Sequence, residues 1–190
     1  MSENKALIQQ LAHCEKHEFD EIVKSYLKEV YKLPCVVVTD GKGDGGIDMK
    51  VLNDSHVKLQ YQVTIQKSSN SIEKNNLKNK IIEDVVKAKR NVEQFGYAAR
   101  LEFYYSYQLT EQFIEELQNK SFSDYGITLI IIDAKRIAVQ ATHYSNLYKT
   151  ILEQSGYNKL KVKSEEISEE DKLFYDLVGF GEAADVKLKI

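Results

Sequence analysis

The spacing of apolar positions changes several times along the chain, and each change predicts an element of secondary structure. From 19 to 31 and from 72 to 95, apolar residues recur every three or four positions, which predicts two helices with one buried face each. In 47–51 and 57–66, apolar and polar residues alternate, which predicts two strands with one apolar and one polar face.

Shorter segments complete the pattern. Strands are predicted at 35–38, 101–107 and 127–133, and helices at 111–119 and 143–154. Pro34 ends the first helix, Gly96 ends the long helix, and Thr110 caps the helix that follows it. The order of helix, three strands, long helix, strand, helix and strand predicts an α/β fold with a mixed central sheet flanked by helices.

Polar residues of the two alternating strands keep the same parity, with Asp48 on the first strand and Gln62 on the second. If these strands pair as neighbours, the two side chains come together on one polar face. A carboxylate and an amide oxygen beside a glycine turn are suitable ligands for a hard divalent cation. The pattern therefore predicts a metal site at this point of the sheet.

The string Gly-Asp-Gly-Gly-Ile-Asp at 43–48, followed by a strand that contains Gln62-Val63-Thr64, resembles the PD-(D/E)xK nucleases of restriction-endonuclease-like fold. Within them it is most similar to the Mrr-like branch, and the resemblance covers roughly residues 18–133. It implies an αβββαβ core and a metal-dependent DNA endonuclease domain, part of a bacterial restriction or phage-defence system. A threonine, Thr64, stands where the family carries a lysine.

The resemblance also implies a set of ligands for Mg²⁺ or Mn²⁺. Asp48 is the principal ligand, Gln62 supplies a second oxygen, and the carbonyl of Val63 a third. A helical acid often completes the family's site: Asp20 stands at that position, and Glu21, one residue on, has the longer reach. We include Glu21 in the predicted site; acids that merely complement the helix dipole are the alternative for both.

The missing lysine has three candidate replacements. Lys50 lies two residues from Asp48 on the same strand face, roughly 6–7 Å away by strand rise. Lys67 lies at the end of the second strand, where its parity fits only if the strand has ended. Lys80 and Lys87 lie on the long helix, away from its apolar stripe. A catalytically inactive domain that binds nucleic acid or a protein is the alternative to all three.

Contacts to nucleic acid are predicted around the same elements. Gly45 and Gly46 allow the backbone to approach a phosphate closely. Residues 67–90 contain seven basic and three acidic side chains, so Lys67, Lys80 and Lys87 are predicted to contact DNA, with RNA not excluded. A solvated charged face is the alternative interpretation, and tyrosines 104, 105 and 107 are expected to pack rather than to stack on bases.

Length and composition limit the remaining choices. A chain of 190 residues suits one domain, predicted at 1–155, and its net charge of −3 excludes a globally basic nucleic-acid binder. A change of composition after Gly156 predicts a helical extension or linker to a further domain at 156–190. We expect a homo-oligomer or a regulatory partner, and an interaction scaffold with an oligomerising tail is a further alternative. The longest apolar run, 127–132, is too short to span a bilayer. The chain has two cysteines without metal-type spacing, which favours the cytoplasm. One of them, Cys35, is expected to be buried in a strand.

Overall fold

A computed structural model describes residues 3–33, 35–39, 47–51 and 58–155. Within these ranges the chain forms a five-stranded sheet and six helices. The elements are α1 (Glu3–Ala12), α2 (Lys16–Val30), β1 (Val36–Val38), β2 (Met49–Val51), β3 (Lys58–Thr64), α3 (Ser71–Phe95), β4 (Tyr97–Tyr105), α4 (Glu111–Tyr125), β5 (Thr128–Ile132), α5 (Ala134–Ala141) and α6 (Ser145–Gln154).

The sheet is mixed, and its strands follow one another in chain order from β1 to β5. The first three strands are antiparallel neighbours, whereas β3, β4 and β5 run parallel. Parallel neighbours need a crossover connection, which α3 and α4 provide. The prediction of an α/β fold with a mixed sheet flanked by helices is confirmed.

Two apolar cores lie on opposite faces of the sheet because successive strand residues point to opposite sides. On one face, Tyr61, Val63 and Tyr104 pack with residues of α1, α2, α5 and α6. On the other face, Leu101 and Phe103 pack with residues of α3 and α4. The polar side chains of β3 therefore lie on the face that α3 covers.

Several predicted boundaries agree with the structure. Gly96 ends α3 in the left-handed conformation, with φ of 68°. The Thr110 side chain accepts a hydrogen bond from the Phe113 N–H at 3.3 Å and begins α4. Tyr104 and Tyr105 are fully buried, so the prediction that they pack in the interior is confirmed.

Other boundaries were wrong. β4 begins four residues earlier than predicted, at Tyr97, because its start pairs with Lys58 of β3 although its sequence does not alternate. α4 continues to Tyr125, and neither α1 nor α5 was predicted. Cys35 is exposed, not buried, since it precedes the short edge strand β1.

Some predictions fall on residues outside the described ranges. They are the helix stop at Pro34, the glycine turn with Asp44, Gly45 and Gly46, the start of the predicted strand at Val57, and the extension at 156–190. The chain divides into two units between Ser155 and Gly156. None of the helices in the described part of the chain is both long and apolar enough to cross a membrane.

A buried carboxylate on β4 organises the core on the α2 side of the sheet. Glu102 is 1% exposed, pairs with the Arg100 guanidinium at 2.5 Å, and accepts a hydrogen bond from the Tyr104 hydroxyl at 2.9 Å. The Tyr26 ring packs edge-on against Tyr104, with 5.6 Å between centroids. Burial, reinforced by the nearby Glu102 charge, raises the pKa of the Tyr104 hydroxyl, which keeps it protonated as a donor.

Candidate metal-binding active site

Asp48 is held against the backbone of β3 on both sides of Gln62. Its N–H donates to the Tyr61 carbonyl at 3.0 Å, and its Oδ2 accepts a hydrogen bond from the Val63 N–H at 2.6 Å. Its own carbonyl accepts from the Thr39 N–H at 2.8 Å. A carboxylate has about four lone-pair sites, so the Val63 bond leaves capacity for a cation. The structure therefore places the Asp48 carboxylate against the backbone of Val63, the residue after Gln62.

Two oxygen donors of β3 belong to residues of the segment that the Asp48 carboxylate contacts. Gln62 is 5% exposed and follows the parity of Gln60, whose side chain reaches α3. The Thr64 carbonyl accepts a hydrogen bond from the Ser106 N–H at 3.3 Å and is therefore directed to the β4 side. Because carbonyls alternate in direction along a strand, the Val63 carbonyl is directed to the β2 side, where Asp48 lies.

Asp20 of α2 brings a second carboxylate to the site. It is 3% exposed, its charge acts on the Asp48 carboxyl, and Lys16 pairs with it at 2.5 Å. Glu21, the residue included in the predicted site, is instead exposed and pairs with Lys24 at 3.0 Å. Of the two acids left open by the sequence, Asp20 is the one whose charge acts on the Asp48 carboxyl.

The phase of α2 explains this correction. Phe19, Val23 and Leu27 form the buried face of the helix. At about 100° per residue, Asp20 falls at the edge of that face and Glu21 falls on the opposite side. The greater reach of a glutamate does not compensate for a side chain that starts on the wrong face.

A row of polar residues on α3 covers the polar face of β3. We call Lys80, Asp84, Lys87 and Asn91, which are spaced by four, three and four residues, the polar stripe of α3. The Asp84 side chain is 1% exposed and accepts from Lys80 Nζ at 3.1 Å and from Lys87 Nζ at 2.9 Å. The Asn91 amide donates to Gln60 Oε1 at 2.9 Å.

The electrostatics of Asp48 oppose its ionisation. Burial, the largest cause, and the nearby Asp20 raise its pKa, while the Val63 N–H, Lys16 and Lys80 lower it. The net shift is upward. Ionisation of Asp48 in the folded protein therefore costs free energy, and a bound cation would offset that free energy.

The other predicted site residues are dispersed. Thr64 is buried, and its Oγ1 accepts from the Gln66 N–H at 3.3 Å. Lys50 is half-buried and stands opposite Val37 of the edge strand. Lys67 is exposed and lies beyond the last residue of β3, so the strand has ended before it.

Sequence reasoning missed Lys16 and Asp84. Their spacings, Lys16 to Asp20 and Lys80 to Asp84 to Lys87, are those of ion pairs along one helix face and were available as a signal. The burial of Asp84 was not available, because the sequence does not say which strand covers the stripe. Both residues enter the site only through the packing of helices on the sheet.

The donors that surround Asp48 fit a hard cation by their chemistry. Two carboxylates, an amide oxygen and a backbone carbonyl are ligands that Mg²⁺ and Mn²⁺ prefer. In the described ranges no three His, Cys, Asp or Glu side chains form a metal-binding group. A site at Asp48 would therefore need further oxygens, which the Gln62 amide and the Val63 carbonyl can supply.

Comparisons with known proteins identify no relative. No family model matches the chain, and no curated protein or solved structure matches it. The arrangement of the site is therefore the basis for a functional proposal.

Proposed function

We propose that this protein is a metal-dependent DNA endonuclease with a restriction-endonuclease-like fold. The observation that carries the proposal is the hydrogen bond from the Val63 N–H to the Asp48 carboxylate, which places an acid against the Gln62-Val63 segment. Asp20 adds a second carboxylate from a helix. The order α2, β1, β2, β3, α3, β4 agrees with the αβββαβ core that the sequence resemblance implies.

The residues of the proposed site have two roles, metal binding and the positioning of the metal ligands. Asp48, Asp20, Gln62 and the Val63 carbonyl would hold Mg²⁺ or Mn²⁺. When bound, the metal supplies a Lewis acid for the scissile phosphate and lowers the pKa of an attacking water. The protein holds the acids in place through the β3 backbone and α2, and nearby lysines offset their negative charge.

The substrate is proposed to be DNA, held by its phosphates. Lys67 is exposed, and Lys80 and Lys87 border the site from α3. Phosphate contacts of this kind weaken steeply as salt is added. A role in bacterial restriction or phage defence is part of the proposal and is supported by the sequence resemblance alone.

The alternative is an inactive nuclease-like domain that binds nucleic acid or a protein. One observation favours it: Thr64 stands at the position of the family's lysine, and its hydroxyl interacts with the backbone of Gln66. A threonine carries no positive charge. An active enzyme must therefore take that charge from another residue.

A cleavage assay separates the two functions. Supercoiled plasmid, linear DNA and RNA are incubated with the protein in Mg²⁺, Mn²⁺, Ca²⁺ or EDTA, beside Asp48→Asn protein purified identically to exclude contaminating nuclease. The proposal expects cleavage of DNA by wild type in Mg²⁺ or Mn²⁺ alone. DNA retarded in a gel but never cut would establish the binding module instead.

A paired substitution tests the helical acid. Asp20→Asn is expected to weaken Mn²⁺ binding about 10-fold or more, because an oxygen donor and a negative charge beside Asp48 are lost. Glu21→Gln, on the opposite side of α2, is expected to leave the affinity within about twofold. Calorimetric titration of the purified variants with Mn²⁺ gives both numbers. A larger effect at Glu21 than at Asp20 would contradict the assignment.

A further inference from the structure

The polar stripe of α3 can be aligned with β3 from two contacts. Gln60 Nε2 donates to the Ala88 carbonyl at 3.2 Å, and Asn91 donates to Gln60 at 2.9 Å. Because β3 and β4 are parallel neighbours joined by α3, the helix runs back along the sheet, opposite to β3. Positions earlier in α3 therefore lie above positions later in β3.

The spacing of the two elements fixes the alignment further along. Four helical residues from Ala88 back to Asp84 span about 6 Å, and two strand residues from Gln60 to Gln62 span about 6.6 Å. Asp84 is therefore level with Gln62. A further turn of helix and two more strand residues place Lys80 level with Thr64. Lys80 of α3 thus lies above Thr64, the residue that stands where the family carries its strand lysine.

Asp84 restricts the position of the Lys80 ammonium group. Its buried carboxylate holds Lys80 at 3.1 Å and Lys87 at 2.9 Å, one helical turn to either side. The Lys80 side chain is 35% exposed and the Asp84 side chain 1%. The ammonium group is thus tethered at its inner side and remains open to a phosphate at its outer side.

The other candidate lysines fit the position less well. Lys50 lies opposite Val37 at the edge of the sheet, and Lys67 lies exposed beyond the end of β3. Lys16 pairs with Asp20 and so is joined to a proposed metal ligand. Asp84, which the proposed metal site does not use, holds both Lys80 and Lys87 over β3. Of these two lysines, Lys80 is the one level with Thr64.

We propose that Lys80 takes the place of the missing strand lysine and that Asp84 is the positioning residue that holds it there. This inference rests on the proposed nuclease function. Lys80 would donate a hydrogen bond to a non-bridging phosphate oxygen and stabilise the negative charge that develops there. In that reaction the water oxygen bonds to phosphorus and loses a proton to solvent. The bond from phosphorus to the leaving sugar oxygen breaks, and that oxygen takes a proton from solvent.

Three substitutions and two matched controls test the inference. Lys80→Met is expected to slow cleavage about 100-fold and Asp84→Asn about 10-fold, with Lys80→Arg recovering part of the rate. The controls are Lys78→Met and Glu116→Gln, which break another lysine–carboxylate pair made by α3. Both controls are expected to cleave within about threefold of wild type.

A second readout separates a positioning role from a structural one. Lys80→Met removes a positive charge near the metal ligands, so Mn²⁺ measured by calorimetry is expected to bind as tightly as to wild type or more tightly. DNA affinity in Ca²⁺ is expected to change by less than about fivefold. Slower cleavage with undiminished Mn²⁺ binding supports the inference; loss of Mn²⁺ binding in step with cleavage overturns it.

The outcomes also distinguish this inference from the proposal beneath it. If wild type cleaves, Asp48→Asn does not, and Lys80→Met cleaves like wild type, the nuclease function stands and the role of Lys80 is wrong. If wild type never cleaves DNA or RNA with any metal, the nuclease function itself is wrong, and the role of Lys80 fails with it.

Discussion

Asp48→Asn protein is expected to lose metal-dependent cleavage by about 100-fold or more and, at neutral pH, to be more stable than wild type. The loss follows because an amide is a weaker metal ligand than a carboxylate and carries no charge. The gain follows because asparagine removes a half-buried charge on which the Asp20 charge acts unfavourably. The asparagine Oδ1 still accepts from the Val63 N–H. Removal of a residue that only supports the fold would lower stability and activity together.

The pH dependence of this gain has a defined sign. Burial raises the pKa of Asp48 in the folded protein above that of the unfolded chain. The folded state therefore binds this proton more tightly, and the wild type loses stability as pH rises from the ordinary aspartate pKa through the raised value. Asparagine does not titrate. The stability difference should be small in acid, grow across this interval and then level off.

Thermal or urea unfolding of metal-free protein between acid and neutral pH measures the difference. For a chain of this size, about 1 kcal/mol corresponds to about 2–4 °C in Tm. Asp124→Asn is the matched control: the pKa of this exposed aspartate is lowered by its hydrogen bond to Lys120, so its removal brings no gain at neutral pH. An Asp48→Asn protein less stable than wild type at neutral pH would contradict the account.

Glu102→Ala is expected to destabilise the fold by about 3 kcal/mol, the largest stability effect predicted for a single side chain here. The truncation leaves the buried Tyr104 hydroxyl without its acceptor and Arg100 without its partner, and it opens a cavity beside the core. Arg100 is half-exposed, so hydration by water replaces part of the interaction that it loses with Glu102. Most of the cost therefore comes from Tyr104 and the cavity.

Glu102→Gln separates these causes. Its amide oxygen still accepts from Tyr104 and its volume is preserved, so a loss of only about 1 kcal/mol is expected. Urea unfolding monitored by tyrosine fluorescence gives both free energies of unfolding. Equal losses for the two variants would show that the charge, not the acceptor and the volume, holds this part of the core together.

The sequence by itself determined the order of elements from α2 to β5 and one half of the candidate site. Local spacing of apolar residues predicted the helices and strands from 19 to 133. Strand parity predicted that Asp48 and Gln62 share one polar face, because a side chain's direction within an element depends only on its neighbours in the chain. The buried face of α2, formed by Phe19, Val23 and Leu27, also indicates that Asp20, rather than Glu21, lies at the edge of that face.

Only the tertiary structure determined the contacts between elements that are distant in the chain. The start of β4 at Tyr97 depends on a hydrogen-bonded partner in β3, and the burial of Asp84 depends on α3 lying across that strand. The alignment of Lys80 with Thr64 depends on the direction in which the β3–α3–β4 crossover runs. These features arise between elements that are distant in the chain, and their energies come from packing and charge pairing that exist only once the sheet has formed.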